Sequence, residues 1–430
     1  MLAAALRRRI GLFDATMLVL GSMVGVGIFI VPGIVAQYVR SPAAFLGVWM
    51  FGGLIAICGA LSNGELGAAF PRGGGEYVYL RQTYGPLAGF LSGWTSFWIG
   101  FPGSVATHAA AFARIVGPSL GLPELPIALA TVLALTMLNA RGIDPGRWTQ
   151  NVLVGTVVAL FAAFVVAGLL TGARASAPPL PGGERASDLA LACVPVLFAY
   201  AGWNAATYVA GEIRDPRRTL ARALLLGTVA CTALYLVINV ILLRIAPIPV
   251  LREQTDIASF AAERTFGAGG AVITKALVAL AVLGSLQASI VTGPRIYQAM
   301  AEDGILFRRL AEVHPKRRVP VNAIVAQGAI AAALLLTGTF ERLLTFTTVA
   351  IVAFSTLTVL GVLVLRARRP TLPRPFRVPL WVPIVFVVAN GWVLVRLLAS
   401  GVREAIVGLS IVAAGVPAYL LFRRRSPLRA

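Results

Sequence analysis

The sequence predicts an all-α integral membrane protein of about twelve transmembrane helices. Three observations carry that prediction. The 430 residues are 58% hydrophobic and only 13% charged, with a mean hydropathy of +0.84. Apolar stretches long enough to span a bilayer, roughly 20 residues each, recur along the whole chain. Basic residues gather in short blocks between those stretches, as at Arg7-Arg8-Arg9, from Arg366 to Arg377, and at Arg423-Arg424-Arg425. A soluble domain needs more polar surface than this to cover its core, so the bilayer is read as the solvent.

The predicted spans fall near 11–37, 43–69, 86–117, 123–140, 149–171, 189–211, 219–246, 270–300, 320–338, 342–366, 379–399 and 402–422. The N-terminal run after Arg7–Arg9 is longer than the apolar core of a secretory signal and is read as the first span. With the N-terminus in the cytoplasm, most of the 37 Lys and Arg fall in inward-facing segments. The positive-inside rule then places both termini in the cytoplasm.

Composition excludes several classes. The net charge of +20 is spread over loops that meet anionic lipid rather than set on one face, which argues against nucleic-acid binding. The three cysteines, Cys58, Cys193 and Cys231, all lie in apolar segments, and the histidines number two. Neither a metal cluster nor a nucleophile with its base can be assembled from these, so no enzyme, metal site or cofactor is expected.

Two spans are irregular. The first reads Gly21-Ser22-Met23-Val24-Gly25-Val26-Gly27-Ile28-Phe29, and each glycine weakens a helix by about 1 kcal/mol relative to alanine. Close packing of two helices is the plain reading of small residues four apart. The sixth reads Phe198-Ala199-Tyr200-Ala201-Gly202-Trp203-Asn204, one turn after Pro195, which removes a backbone donor. Interrupted helices five spans apart suggest inverted repeats with a binding site at the midplane. The repeats would cover 11–171 and 189–366, with two additional helices at 379–422, in a single domain of residues 1–430.

A helix broken in lipid leaves donors and acceptors in need of partners. The amides of Gly25, Val26 and Gly27 would meet a carboxylate at the positive end of a helix dipole. Carbonyls near Met23 and Val24, and at Phe198 and Ala199, would accept from an ammonium group. That geometry suits an α-amino acid.

At this point the residues resemble a family. GSMVGVGIF, FAYAGWN and GEIRDPRRTLARAL, with residues 63–94 and 293–324, are similar to the amino acid–polyamine–organocation superfamily, in particular its L-type amino acid transporter branch and bacterial relatives. The resemblance implies five-plus-five inverted repeats with broken helices one and six. It implies that Gly25, Val26, Gly27 and Ile28 line the carboxylate site, that Phe198 is an aromatic gate on the extracellular side, and that Asn204 is a polar site position. Ala201 stands where several relatives have glycine, which implies a tighter pocket. Val26 replaces a serine common in relatives. The fifth span, from Gln150 to Leu160, lacks the lysine that many relatives carry, which removes the obvious coupling group. The loop from Gly117 to Pro123 has no cysteine, so no disulfide-linked heavy subunit is expected, and a prokaryotic cytoplasmic membrane is the simpler home.

Other polar residues read mostly as structural. Glu65 is expected to pair with Arg72 or Arg81, with a role as proton carrier as the alternative reading. Ser285 and Ser289, His108 and Trp203 read as packing residues, and Lys275 as a snorkelling residue at the membrane surface. Glu212, Arg214, Asp215, Arg217 and Arg218 form either a solvated loop or an inner gate of ion pairs. The leading reading is a permease for α-amino acids, neutral ones because no acidic group lies beside the breaks. It works by alternating access, with exchange fitting the missing coupling group and uniport and proton symport as the other modes. Cationic amino acid or polyamine transport, and a non-transporting amino acid sensor, are the alternatives.

Overall fold

The computed structural model describes residues 6–170, 183–254, 256–338, 340–400 and 402–425. The predicted end of the first repeat at 171, both chain termini and the side chains of Arg424 and Arg425 lie outside the described residues. Among those described the chain is helical, with no strand beyond one isolated bridge.

The first span is two helices, α1 (Leu12–Met23) and α2 (Gly27–Tyr38), bent by 46° at the intervening break. The second is α3 (Pro42–Ala69), followed by the short loop helix α4 (Glu76–Tyr84). The third joins α5 (Pro86–Thr95) to α6 (Phe101–Leu120) through one π turn. The fourth and fifth are α7 (Glu124–Ala140) and α8 (Ile143–Leu170). The sixth is again broken, into α9 (Ala186–Ala199) and the short α10 (Ala205–Tyr208). The seventh is α11 (Pro216–Ile245), after which α12 (Ile248–Glu253) and α13 (Ile257–Phe266) form a loop hairpin. The eighth to twelfth are α14 (Gly270–Glu302), α15 (Val321–Thr337), α16 (Phe340–Arg368), α17 (Trp381–Ser400) and α18 (Val402–Arg425). Among the described residues, six helices are individually long and apolar enough to cross a bilayer, and the bent pair α1/α2 makes a seventh. The remaining spans are shorter, broken or interrupted.

Contacts divide these helices into two groups. Spans one, two, six and seven form a bundle in which α3 packs along α11, α2 against α9 and α1 against α11. Spans three, four, eight and nine form the other group through α6, α7, α14 and α15. The broken first span lies between them, since α1 also touches α8 and α14. The last two spans pack outside, α17 on α3 and α16, α18 on α5 and α16. Only about a fifth of the most apolar windows of α8 and α17 is buried within the protein (22% each). Their remaining apolar surface is satisfied by lipid, which explains why their residues are hydrophobic almost all round.

Polar contacts on the charged side of the bundle correct one expectation. Glu65 does pair, but with Arg366 of α16 through the guanidinium Nε and Nη2, and with Arg374 at 3.6 Å. Arg72 and Arg81 instead pair with Asp303 at the end of α14, and Tyr77 donates to the same carboxylate at 2.6 Å. Sequence proximity suggested the wrong partners because the ends of α14 and α16 return to this face from more than 200 residues away. Lys275 is exposed, as snorkelling requires.

Candidate substrate site

The two breaks meet. A Cβ on Gly27 would stand 2.9 Å from the Cα of Ala199 and 3.0 Å from its Cβ, so glycine is required for α2 to lie this close to α9. Gly202 has φ +103, and a Cβ there would fall 2.6 Å from the carbonyl oxygen of Ser22. This position needs glycine for its left-handed backbone and for the close approach together. These approaches are close helix packing through small residues, and the halves of each broken helix touch the other break.

Around the first break, Val24 closes α1 by donating to the Leu20 carbonyl at 2.8 Å, and Phe29 donates to Val26 at 3.1 Å. The amides of Val26, Gly27 and Ile28 have no backbone acceptor among the described residues, as the first turn of a helix dictates. They form the donor end of α2. The carbonyls are more engaged than the sequence suggested. The Tyr235 hydroxyl of α11 shares its one proton between the carbonyls of Met23 at 2.8 Å and Ala199 at 3.3 Å, tying the two breaks together. It also accepts from the Gly25 amide, which the sequence reading assigns to the substrate. The Ser285 hydroxyl of α14 donates to Gly21 at 3.1 Å and Val24 at 3.2 Å. Each carbonyl has two lone pairs, so these bonds fix the direction of the carbonyls and leave one acceptor site apiece.

Phe198, the last residue but one of α9, has 41% of its surface exposed, and its carbonyl accepts from the Ala201 amide at 3.0 Å. Ala201 is exposed and Asn204 half-buried. The Asn204 amide donates to Glu76 and to the Tyr208 hydroxyl, each at 3.1 Å. Trp203 is turned away from the breaks: it stacks edge-on against Phe386 of α17 at 5.3 Å and is a packing residue.

The third and fifth spans complete the surroundings. His108 Nδ1 donates to its own helix at the Ser104 carbonyl, 2.7 Å away. Its Nε2 is 4.0 Å from the position a Cβ on Gly25 would take. The fifth span, free of lysine, presents the neutral amide of Gln150 against Gly21.

Ion pairs and hydrogen bonds tie the start of α1 to the end of the sixth span and to α8. Glu212 is fully buried and holds Arg295 of α14 by two hydrogen bonds of 3.1 Å. Ile10 donates to the Glu212 carbonyl at 3.0 Å and accepts from Arg214 at 2.9 Å, pinning the start of α1 to the end of the sixth span. Arg147 and Asn151 of α8 hold Asp14 of α1, at 3.1 Å and 2.7 Å. The charged cluster after the sixth span thus divides: Glu212 belongs to this network, while Arg214, Asp215, Arg217 and Arg218 are exposed.

Tyr235 and Glu76 were missed by the sequence reading. A tyrosine in mid-span is a signal in itself, since polar groups there need partners. Ser285 was read as packing, because its acceptors arise only from the break in a helix more than 260 residues earlier.

Two apposed broken helices with an open helix N-terminus at the break are the arrangement of a broken-helix membrane carrier. The chain belongs to the amino acid permease family, whose model matches residues 10–415. It is 31% identical over 437 residues to the large neutral amino acids transporter small subunit 2 of Homo sapiens, covering 97% of this chain and 81% of that protein. It is 30% identical over 444 residues to the Asc-type amino acid transporter 1 of Mus musculus, covering 98% and 83%. Against the b(0,+)-type amino acid transporter 1 of Rattus norvegicus it is 27% identical over 432 residues, covering 97% and 88%.

Proposed function

We propose that this permease carries neutral α-amino acids by alternating access, with the substrate seated between the breaks of the first and sixth spans. The observation that carries the proposal is the open end of α2 beside Gly27, where the amides of Val26, Gly27 and Ile28 have no backbone acceptor among the described residues. They take the substrate carboxylate, aided by the positive end of the helix. The remaining lone pairs on Met23, Val24 and Ala199 take the ammonium group. Phe198, exposed at the end of α9, covers the site from the outer side, and the small Ala201 borders the side-chain pocket. Val26 contributes its amide and no hydroxyl.

A neutral side chain is favoured because none of the residues from Met23 to Ile28 or from Phe198 to Asn204 is charged. A cationic substrate has one supporting observation, the contact of Asn204 with Glu76. That carboxyl is 9% exposed and sits behind Asn204, so the neutral reading is preferred. An unpaired substrate cation would lose several kcal/mol of solvation there, on the order of a buried charge.

The surrounding framework is proposed in the same terms. Repeats at 11–171 and 189–366 place the site at their interface, with 379–422 outside. Both termini lie in the cytoplasm of a cell whose inner membrane holds the protein. One relative is named a small subunit; the cysteine-free stretch from Gly117 to Pro123 supports a chain without a disulfide-linked partner. The lysine-free fifth span removes the usual coupling group, which is compatible with exchange of one amino acid for another and equally with uniport or proton symport.

The test is counterflow in proteoliposomes with radiolabelled neutral L-amino acids. Accumulation driven by unlabelled substrate inside is the expected result. Failure across every neutral amino acid, with uptake of lysine or a polyamine, would move the assignment to the cationic class. Saturable binding with no counterflow of any amino acid would point to a sensor.

A further inference from the structure

Among the described residues, buried carboxylates come with cations, except one. Glu65 is paired with Arg366 and Arg374, Glu212 with Arg295, and Asp303 with Arg72 and Arg81. Glu76 is buried to the same degree as Asp303, at 9% exposure, yet no arginine or lysine pairs with it. Its partners are neutral: Asn204 at 3.1 Å from the break of the sixth span, and the Ser355 hydroxyl from α16. The other titratable groups that face it are the hydroxyls of Tyr208, on α10, and Tyr79, on its own helix. An ionised carboxylate in such a place keeps its charge without a counterion, which is costly, whereas a protonated one is satisfied. Burial accordingly lifts the Glu76 carboxyl to about 7, against the smaller opposing effects of Asn204 and Ser355.

The position of Glu76 links its proton to access. It opens α4, directly after a glycine loop docked on the sixth span, where the Gly74 amide donates to the Tyr208 carbonyl at 2.9 Å. Its pocket is therefore built partly from α10, the inner half of the broken sixth span. That half is also tied to α14 and to the start of α1 through Glu212, Arg295 and Ile10. Opening the inner side moves α10, separates Asn204 from Glu76 and admits water. A hydrated carboxyl returns to its ordinary acidity and loses its proton to the cytoplasm.

We propose that Glu76 is a proton-binding site of this permease, loaded while the inner side is closed and emptied as it opens, so that net uptake of an amino acid carries a proton inward. The reaction is the transfer of one proton from the outer solution, through the half-exposed region around Asn204, to the carboxylate, and then to cytoplasmic water. No other group changes its covalent state. The proposal rests on the permease reading above and supplies the coupling group that the fifth span lacks.

The experiment uses the full-length protein in proteoliposomes containing the pH dye pyranine, clamped with potassium and valinomycin. The probes are radiolabelled L-alanine, L-serine, L-leucine and L-phenylalanine. Counterflow without gradients tests the permease reading alone, and its absence for all four probes and the remaining neutral amino acids defeats that reading. Given counterflow, the expected result is internal acidification on adding the transported amino acid outside, and accumulation driven by an inward proton gradient. Glu76→Gln, which imitates the protonated form, is expected to abolish both proton readouts and flatten the pH profile of counterflow. Ser355→Ala removes a hydrogen bond that favours the charged carboxylate. It is expected to move the midpoint of the wild-type pH profile to the alkaline side, which covers the case in which Glu76→Gln does not fold. Counterflow by the wild type with no proton movement overturns the proposal. So does a Glu76→Gln variant that moves as many protons per amino acid as the wild type, or an unshifted midpoint in Ser355→Ala. His108→Gln tests the other titratable group near a break, and loss of proton movement in that variant alone would transfer the role to His108.

Discussion

Gly27→Ala tests whether the apposition of the two breaks matters for transport. The added Cβ would lie 2.9 Å from the Ala199 Cα and 3.0 Å from its Cβ. Carbon atoms prefer about 3.5–4.0 Å, so α2 and α9 would have to separate by about 0.5–1 Å. Neither contacted atom can rotate away, since one is backbone and the other is fixed to it. Overpacking of this kind costs about 1–3 kcal/mol. At about 1.4 kcal/mol per factor of ten, substrate binding would weaken by roughly 5- to 150-fold if all of the strain fell on the bound state. The assay is the concentration dependence of counterflow, with thermal stability of the detergent-purified protein measured alongside. Combining Gly27→Ala with Ala199→Gly removes the 3.0 Å contact and leaves the 2.9 Å one, so the pair should recover part of the loss. A Gly27→Ala variant with wild-type half-saturation, turnover and stability would refute the reasoning and show that the halves do not touch here during transport.

Further outcomes can be checked with the same preparation. Gly25→Val puts a branched side chain where even a Cβ would stand 2.9 Å from the Ser285 hydroxyl; substrate-induced thermal stabilisation should vanish while membrane insertion persists. Ser285→Ala leaves the Gly21 and Val24 carbonyls without that donor, a loss of about 0.5–1.5 kcal/mol per hydrogen bond, read as a lower melting temperature. Arg295→Gln leaves Glu212 buried and unpaired, which costs about 3–5 kcal/mol in the closed form; alkylation of a cysteine introduced at Leu18 from the cytoplasmic side should accelerate. The pH response follows from Glu76: its carboxyl is raised to about 7 in the closed form, so closure is favoured at low pH. That preference is lost as pH rises from the ordinary carboxylate range through about 7, and the same labelling assay should accelerate across that window.

Much of the fold was legible because membrane solvation acts on local composition. Spans could be counted from apolar runs, since each must cover its own backbone hydrogen bonds. The broken helices were visible as Gly21, Gly25 and Gly27, and as Gly202 with Asn204, because glycine and an amide are conspicuous in lipid. Trp203 and Lys275 also behaved as their residue types suggest.

The sequence by itself determined where helices run and where two of them break, because helix formation and membrane insertion depend on residues near one another in the chain. Only the tertiary structure decided which groups those breaks meet. Tyr235, Ser285 and Gln150 reach the first break from spans five to eight, and Arg366 reaches Glu65 across 301 residues. Glu76 looked like one more polar residue after a glycine loop. Its significance comes from the desolvation and neutral partners supplied by α10 and α16, and no local pattern records them.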